Sequence, residues 1–325
     1  MGINVRPEGQ ALPQPVLAWV EEHAGRVTGK LARVEQVIPM QGGISSAVYA
    51  LEVSLAGANE RIHWVLRQFT DKDWLHVEPD LADHETAALQ AAKSAGMPSP
   101  EWIAADPNGA RCGLPTVLMS RLPGKVVLPA SPSESWIRGL AEAAAAMHGN
   151  QASMNEPIVW NYFTYNKIED LQVPAWTTTP SAWAKLIERV KRPAPIYVPR
   201  LIHRDYHPAN VLWLDDRVSG VVDWVNACQG PAGIDTGHCR LNLVQLYGVE
   251  TADAFMEAYL ASPGSVIEAA DPYWDILTLI EVLPGPPGVY KGWEDLGFRG
   301  LTAELVAARL DAYAERLANE TGLQK

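Results

Sequence analysis

Cysteine is scarce in this sequence. Its 325 residues include three cysteines, Cys112, Cys228 and Cys239, and none of them belongs to a C-x-x-C pair. An odd number of cysteines without that spacing argues against a disulfide scaffold and against a cysteine-based zinc site. We therefore expect three buried thiols in a protein of the reducing cytoplasm.

Positive charge is also in short supply. Lysine and arginine number 26 against 38 aspartates and glutamates, which gives a formal net charge of -12. A surface that binds nucleic acid needs clustered basic side chains, so we expect no nucleic-acid partner. An acidic surface attracts cationic small molecules, but it also serves solubility, and solubility is the simpler interpretation.

Long apolar runs are missing as well. No run reaches the roughly 18 uninterrupted apolar residues of a membrane span. The first ten residues, MGINVRPEGQ, lack the apolar segment of a signal peptide, and Arg6 makes Gly2 a poor myristoylation site. We expect no membrane partner and a cytoplasmic location.

The length of the chain and its breaks predict two domains. A Leu-Pro-Gly break at 122–124 separates an N-terminal domain, residues 1–120, from a C-terminal domain, residues 121–325. Within the second domain, residues 151–199 mix aromatic residues with prolines. We predict that this segment is an insertion with one helix near 181–190.

Apolar periodicity predicts a mixed N-terminal domain. The predicted helices cover 14–24, closed by Gly25, and about 80–94; the predicted strands cover 34–40, 47–53, 62–69 and 115–121. The first three strands, with a glycine-bearing turn between the first two, make a small antiparallel sheet.

One carboxylate interrupts the apolar stripe of the helix predicted at 80–94. Glu85 falls on the face that Leu81, Ala88 and Ala92 share. A carboxylate that faces a core needs a partner, because an unpaired buried charge costs several kcal/mol. Arg67 on the third strand is the available cation, so we predict a buried ion pair.

The C-terminal domain is predicted to be mainly helical. A capping box with Ser131, Pro132 and Glu134 as N-cap, N1 and N3 opens a helix that ends at Gly149. Further helices are predicted near 235–262, near 271–283 and at the end of the sequence. The last helix has its buried stripe at Val306, Leu310, Tyr313 and Leu317.

A hairpin is predicted within residues 201–224, LIHRDYHPANVLWLDDRVSGVVDW. The apolar runs 211–214 and 218–222 form neighbouring strands joined by a turn at 215–217. A symmetric register places Leu212 opposite Val221, and Asn210 opposite Asp223. Two oxygen-bearing side chains then lie side by side.

The loop that precedes this hairpin carries a kinase-like pattern. HRDYHPAN, residues 203–210, matches H-R-D-x-x-x-x-N of kinase catalytic loops. In that pattern a carboxylate, here Asp205, reaches the acceptor hydroxyl, and an amide oxygen five residues later, here on Asn210, reaches Mg²⁺. Asp223 supplies a second hard oxygen ligand, which is the kind Mg²⁺ prefers.

Together these residues resemble the aminoglycoside phosphotransferase family of small-molecule kinases, which shares the two-lobed protein-kinase fold. The family's loop usually reads HGDxHxxN before a strand ending in I-D-W or I-D-F, and HRDYHPAN and VVDW correspond to it. His207, and the absence of an Ala-Pro-Glu triplet after Asp223, favour the small-molecule branch. The resemblance covers roughly residues 30 to 262. It implies an α+β fold: an N-lobe with an antiparallel sheet and a helix, and a mainly helical C-lobe that carries the catalytic β-hairpin.

The resemblance also implies residue roles. Asp205 is the catalytic base, or orients the hydroxyl, and Asn210 and Asp223 are the Mg²⁺ ligands. The implied nucleotide-binding residues are Gly42, Gly43, Ser45, Ser46, Arg67, Glu85, Met119 and Ser120. The glycine loop lacks G-x-G-x-x-G, so a plain hairpin turn is its alternative interpretation. A structural ion pair is the alternative for Arg67, which takes the place of the phosphate-binding Lys.

Two further positions stand out beside this family pattern. Arg204 occupies the place of the family's usual Gly, either as an exposed variation or as a partner of a nearby acid. Asp235 follows Gly-Pro-Ala-Gly-Ile and resembles a family Asp that supports the catalytic loop. His203 is predicted to hydrogen-bond the loop backbone.

The implied function is transfer of the γ-phosphate of ATP, or of another nucleoside triphosphate, with Mg²⁺, to a hydroxyl of a small molecule. An aminoglycoside or another antibiotic or metabolite is the expected acceptor; a cationic one would suit the acidic surface, and the protein would be a monomer or a homodimer. One alternative is a catalytically inactive kinase-fold protein that binds a nucleotide or ligand. Another is a hydrolase metal cluster of His203, Asp205 and His207. For that cluster the six other histidines, including His238, offer no second ligand group with matching spacing.

Overall fold

The computed structural model describes residues 12–40, 46–150 and 160–320. Two compact units divide the chain. The N-terminal unit comprises Met1–Lys93 and Pro98–Pro123, and the C-terminal unit comprises Ser94–Met97 and Gly124–Lys325.

A five-stranded antiparallel sheet forms the centre of the N-terminal unit. Its strands are β1 (Ala32–Pro39), β2 (Ser46–Leu55), β3 (Arg61–Phe69), β4 (Trp102–Asp106) and β5 (Thr116–Ser120). They lie in the order β1-β2-β3-β5-β4, with every neighbouring pair antiparallel. The four predicted strands are confirmed. β4 is not predicted from the sequence, because its five residues, WIAAD, include two alanines and an aspartate, which have low strand propensity.

Three helices accompany this sheet: α1 (Gln14–Thr28), α2 (Lys72–Val77) and α3 (Leu81–Ser94). Trp19 and Val20 of α1 belong to the same apolar core as Leu51 of β2 and Leu66 of β3. The expected end of α1 at Gly25 is wrong. The helix continues to Thr28. Gly29 follows it with a φ of 69°, the left-handed conformation that glycine adopts without penalty, and its N–H donates to the Gly25 carbonyl.

The C-terminal unit is mainly helical, as the sequence predicts. Its helices are α4 (Glu134–Gly149), α5 (Pro180–Val190), α6 (Ala232–Tyr247), α7 (Val249–Ala261), α8 (Pro272–Leu279), α9 (Lys291–Asp295) and α10 (Ala303–Glu320). The four residues predicted for the buried stripe of α10 are all fully buried. The helical region predicted near 235–262 comprises two helices, α6 and α7, which Gly248 separates with its φ of 103°.

The N-cap of α4 lies two residues beyond the predicted one. Ser133, not Ser131, is the N-cap, and its hydroxyl accepts a hydrogen bond from the Trp136 N–H at 3.2 Å. Pro132 therefore lies before the helix rather than at its first position. The predicted end of α4 at Gly149 is confirmed.

Short strands position the loop that carries the kinase-like pattern. They are β6 (Lys125–Val126), β7 (Arg200–Ile202), β8 (Val211–Leu214), β9 (Arg217–Val221) and β10 (Cys228–Gly230). β8 lies between β6 and β9, and β7 pairs with β10. The loop from His203 to Asn210 thus leaves one small sheet and enters another.

The register expected for the β8–β9 hairpin is wrong by one residue. Leu212 lies opposite Gly220, and Val211 lies opposite Val221. The turn contains only Asp215 and Asp216, both with positive φ, of 49° and 59°, as a tight two-residue hairpin turn requires. A bulge then shifts the register between Leu212 and Trp213, so a symmetric hairpin does not form.

Two expectations about burial and membranes can be compared with the structure. All three cysteines are buried, as expected. Burial raises the pKa of the Cys228 thiol to about 12, so this thiol stays protonated. Among the helices described, none is long and apolar enough to cross a membrane.

Candidate active site

Asp205 lies between β7 and β8, and its carboxylate is surrounded by nitrogen atoms. His238 Nε2 is 3.0 Å from Oδ1 and His207 Nε2 is 3.6 Å from the same oxygen. The amide nitrogen of Asn210 is 3.3 Å from Oδ2. Burial favours the neutral acid, but the two histidines outweigh it, so the pKa of Asp205 lies well below its ordinary value. Asp205 is therefore a carboxylate throughout the physiological pH range.

Asn210 is fixed by its own loop. Its Nδ2 donates to the Asp205 carbonyl at 2.9 Å, and its side chain is almost fully buried. His207 caps the short helical turn that ends at Asn210, because its Nδ1 accepts a hydrogen bond from the Ala209 N–H. With the amide nitrogen turned to Asp205, the amide oxygen is the atom that Asn210 can offer to a metal ion.

Asp223 follows β9 and is adjacent to Asn210 along the hairpin. The Val222 N–H donates to the Asn210 carbonyl at 2.9 Å, so Asp223 lies one residue beyond the position opposite Asn210. Asp223 has a φ of 68°, a left-handed conformation that Asp tolerates better than most residues. A carboxylate and an amide oxygen at neighbouring positions are a donor set that fits Mg²⁺.

Asp235, near the start of α6, holds the backbone of the loop of residues 203–210. It is completely buried, and its carboxylate accepts hydrogen bonds from the backbone N–H groups of His203, at 2.8 Å, and Arg204, at 2.6 Å. The ring of His148 approaches the same carboxylate at 3.1 Å. These contacts agree with the role that the family resemblance implies for Asp235, which is to support the loop.

His203 does not join the cluster of Asp205 and His207. Its Nε2 is 2.9 Å from the Val222 carbonyl, so the side chain links the loop to the second strand of the hairpin. The alternative of a hydrolase metal cluster made of His203, Asp205 and His207 therefore lacks His203. Within the described residues, the side chains close enough to share an ion are Asp205, His207 and His238.

The position of His238 in this group is not predicted from the sequence, where none of the other histidines has a matching spacing. The residue lies three positions after Asp235 on α6, and residues at that spacing share one face of a helix. One face of α6 thus carries both the anchor of the loop and the imidazole nearest to Asp205. The spacing from Asp235 was the available signal.

Arg204 is held by aromatic rings rather than by an acid. Its guanidinium carbon lies 4.3 Å from the ring centre of Phe163, 4.5 Å from that of Tyr165 and 5.5 Å from that of Tyr162. Its Nη2 also donates to the Phe163 carbonyl at 2.8 Å. These contacts attach the segment before α5 to the loop of residues 203–210.

We expect Arg204→Gly to loosen this segment while changing global stability little. Arg204 has a φ of 66°, and left-handed backbone costs an ordinary residue roughly 1–2 kcal/mol. The lost cation–π and hydrogen-bond contacts are worth about the same, so the free energy of unfolding should change by less than about 1 kcal/mol. Amide hydrogen exchange of residues 160–167, measured by mass spectrometry, should become faster.

Arg204→Asn is the matched variant, because Asn tolerates positive φ and lacks the guanidinium. It should show the same faster exchange. Unchanged exchange in both variants would mean that the rings do not depend on Arg204 for their position.

In the N-terminal unit, Arg67 and Glu85 form the predicted buried ion pair, at 2.6 Å. The Nε of Arg67 also donates to the Ser46 hydroxyl at 3.1 Å. Ser46 and Arg67 are buried, as is Glu85. The prediction of the pair is thus confirmed. Gly42, Gly43 and Ser45 lie outside the described residues.

Met119 and Ser120, two of the implied nucleotide-binding residues, form the end of β5. Met119 is buried. The Ser120 N–H donates to the Glu101 carbonyl at 2.8 Å, and the next N–H, that of Arg121, donates to the His63 carbonyl at 3.0 Å. These two backbone donors are satisfied within the sheet, so any contact they make with a base would have to replace or share those bonds.

Several small-molecule kinases of known structure have the same fold. A thermostable mutant of aminoglycoside phosphotransferase APH(4)-Ia, in a ternary complex with ADP and hygromycin B, has a TM-score of 0.58 and 16% identity, over 94% of this chain and 99% of that chain. Macrolide 2'-phosphotransferase MphH from Brachybacterium faecium has a TM-score of 0.54 and 18% identity, over 91% of this chain and 98% of that chain. Amicoumacin kinase hAmiN, in complex with AMP-PNP, Ca²⁺ and Ami, has a TM-score of 0.55 and 17% identity, over 88% and 89%.

These similarities establish the class: the chain has the kinase-like fold, with an antiparallel sheet in the N-terminal unit and a helical C-terminal unit. Its family follows from the sequence. Residues 36–274 match the sequence profile of the phosphotransferase enzyme family, so this chain belongs to that family. No curated protein sequence gives a significant match.

Proposed function

We propose that this protein transfers the γ-phosphate of ATP, or of another nucleoside triphosphate, to a hydroxyl group of a small molecule. The observation that carries the proposal is the group formed by Asp205, Asn210 and Asp223. An ionised carboxylate, an amide oriented by that residue, and a second carboxylate follow one another along a single loop and hairpin. Family membership and the nucleotides bound by APH(4)-Ia and hAmiN support a nucleotide as phosphate donor.

Asp205 would orient the acceptor hydroxyl. In the transfer, the acceptor oxygen bonds to the γ-phosphorus, the bond to the bridging oxygen of ADP breaks, and the hydroxyl proton passes to the Asp205 carboxylate. Phosphoryl transfer passes through a loose transition state in which the nucleophile carries little charge. A weakly basic carboxylate with a lowered pKa is therefore sufficient, because it must hold the hydroxyl in line and accept its proton late.

Asn210 and Asp223 would hold Mg²⁺, through the amide oxygen and the carboxylate. Mg²⁺ in this position would neutralise part of the negative charge of the phosphates. The contribution of the chain is to fix the two ligands. Asn210 is fixed by its bonds to Asp205, and Asp223 by the hairpin that places it after Val222.

Arg67 would contact a phosphate of the nucleotide. A guanidinium offers several donors in a planar fork, and two of the Arg67 nitrogens already bond Ser46 and Glu85. Those bonds would restrict the side chain to one orientation before a nucleotide arrives. We further propose that the glycine loop with Gly42, Gly43 and Ser45 approaches the phosphates through its backbone N–H groups.

The acceptor is proposed to be a hydroxylated antibiotic or metabolite, such as an amino sugar or a macrolide. A net charge of -12 would favour a cationic acceptor. A direct test is a screen of amino sugars, macrolides and simple alcohols for ADP release with Mg²⁺-ATP, followed by mass spectrometry of the product. Stabilisation by Mg²⁺-ATP without transfer to any acceptor would favour an inactive, ligand-binding protein instead.

The metal role of Asp223 gives a second test. Asp223→Asn should weaken the binding of Mg²⁺-ATP by about tenfold or more, because it removes a charged ligand while Asn tolerates the left-handed backbone. ATP binding without Mg²⁺ should change little. Isothermal titration calorimetry measures both, and Asp216→Asn is the matched control, since Asp216 also has positive φ and lies exposed in the hairpin turn. Equal Mg²⁺-ATP affinity in the Asp223 and Asp216 variants would contradict the metal role.

A further inference from the structure

His238 connects Asp205 to a second carboxylate. Its Nε2 lies 3.0 Å from Asp205 Oδ1, and its Nδ1 lies 3.8 Å from Glu281 Oε2. Glu281 belongs to the short helical turn Ile280–Val282 that follows α8. The imidazole is therefore placed between acidic groups from two different elements, with His207 as its other neighbour, at 5.7 Å between ring centres.

The contacts determine where the protons lie. A carboxylate can only accept, so the short contact to Asp205 requires a proton on Nε2 of His238. The second carboxylate, facing Nδ1, favours a proton there as well. Burial lowers the pKa of His238, but the neighbouring carboxylates of Asp205 and Glu281 outweigh it and raise the pKa to about 10.

His207 differs from His238 in charge, although both face Asp205. Its Nδ1 accepts a hydrogen bond from the Ala209 N–H and therefore carries no proton. An imidazole with one unprotonated ring nitrogen is neutral, so this ring carries no charge. The cation of the group is thus His238.

The two carboxylate oxygens of Asp205 therefore differ in their hydrogen-bond contacts. Oδ1 receives the bond from His238, whereas Asn210 Nδ2 approaches Oδ2 only at 3.3 Å and makes its shorter bond, 2.9 Å, to the Asp205 carbonyl. Oδ2 is the oxygen with the greater remaining capacity to accept a hydrogen bond. The contact with His238 opposes rotation of the carboxylate out of this orientation, in which one oxygen faces the imidazole and the other can accept a hydrogen bond from elsewhere.

We propose that His238 is a positioning residue for phosphoryl transfer: held by Glu281, it binds Oδ1 of Asp205 and so directs Oδ2 toward the hydroxyl of the acceptor. The inference rests on the proposed function, because it assigns His238 a role in that reaction. Positioning acts on the chemical step and not on nucleotide binding, so its loss should lower kcat while leaving KM for ATP unchanged.

The kinetic test compares variants of His238 in the full-length protein. His238→Phe keeps a ring but has no donor, and we expect kcat to fall about 10- to 100-fold with KM for ATP within about twofold of wild type. His238→Gln keeps a neutral donor of similar reach and should recover most of that loss. Glu281→Gln should lower kcat in the same direction by a smaller factor. His76→Phe, at a histidine exposed on α2, is the control and should match wild type.

Three kinetic results would overturn the inference. They are an unchanged kcat in His238→Phe, equal losses in the Phe and Gln variants, or a rise in KM for ATP that accounts for the whole effect. Asp205→Asn, measured in parallel, separates the two proposals. If Asp205→Asn abolishes turnover and His238→Phe does not change it, the proposed function stands and the role of His238 falls.

The hydrogen bond from His238 to Asp205 can also be tested without a substrate, so the test does not depend on finding an acceptor. In protein with ¹⁵N-labelled histidine, NMR at pH 8 should show one protonated imidazole whose signals disappear in His238→Gln and move toward the neutral form in Asp205→Asn. A His238 that carries no proton on Nε2 in the wild-type protein would overturn the inference. So would stoichiometric Zn²⁺ in the purified protein that is lost in His238→Gln, if it is bound through Nε2, because a nitrogen that binds a metal ion cannot also donate a hydrogen bond.

Discussion

The Asp205→Asn variant is expected to turn over about a thousandfold more slowly than wild type and to bind Mg²⁺-ATP with nearly unchanged affinity. The substitution keeps the size of the side chain but removes its charge and one of its accepting oxygens. The amide oxygen would bond the donor on His238, which lies 3.0 Å from Oδ1 in the wild-type protein. The NH₂ group would then face the acceptor hydroxyl, and it can neither take the proton nor orient the oxygen lone pair for attack.

Turnover is measured as ADP release with the acceptor identified by the screen, and affinity is measured by calorimetry. Asp216→Asn makes the same chemical change in the exposed turn of the same hairpin and should keep wild-type turnover. Turnover at the wild-type rate in Asp205→Asn would eliminate Asp205 as the base. Lost affinity for Mg²⁺-ATP together with lost turnover would place Asp205 among the nucleotide contacts instead.

Asp235→Ala is expected to cause a loss of stability of about 3–5 kcal/mol. Asp235 is completely buried and accepts hydrogen bonds from the backbone of His203 and Arg204 and from the ring of His148. Alanine leaves these donors buried without an acceptor, and each unsatisfied donor costs about 1–3 kcal/mol. The catalytic loop also loses its anchor, so turnover should fall in the protein that remains folded.

Urea unfolding monitored by tryptophan fluorescence measures this loss. Asp235→Asn should lie between wild type and Asp235→Ala, because an amide oxygen can still accept from some of the same donors. Glu257→Ala removes a carboxylate from the exposed face of α7, and its unfolding free energy should stay within about 0.5 kcal/mol of wild type. A wild-type urea midpoint in Asp235→Ala would show that the loop holds its position without this carboxylate.

The sequence predicted the fold class and most elements because each of these follows from local pattern. The spacing of apolar residues marked the strands of the N-terminal sheet, and the stripe from Val306 to Leu317 marked α10. The ion pair of Arg67 and Glu85 was predictable for a different reason. A carboxylate on a buried helical face must find a cation, and few cations were in reach.

Errors occurred where a single residue decided between similar alternatives. Ser131 and Ser133 are both plausible caps for α4, and only the position of the Trp136 N–H selects Ser133. The hairpin register depended on whether its turn contains two residues or three. Both aspartates of the turn adopt positive φ, which makes the shorter turn possible, and a bulge then offsets the strands.

The sequence by itself determined the chemical groups of the candidate site: a carboxylate at 205, an amide at 210 and a carboxylate at 223, at spacings that a loop and a hairpin must bring close together. Tertiary structure alone decided what surrounds them. His238 reaches Asp205 because α6 packs beneath the loop, and Arg204 meets three aromatic rings because a distant segment returns to it. Contacts between residues far apart in the chain depend on the packing of whole elements, and no local pattern encodes that packing.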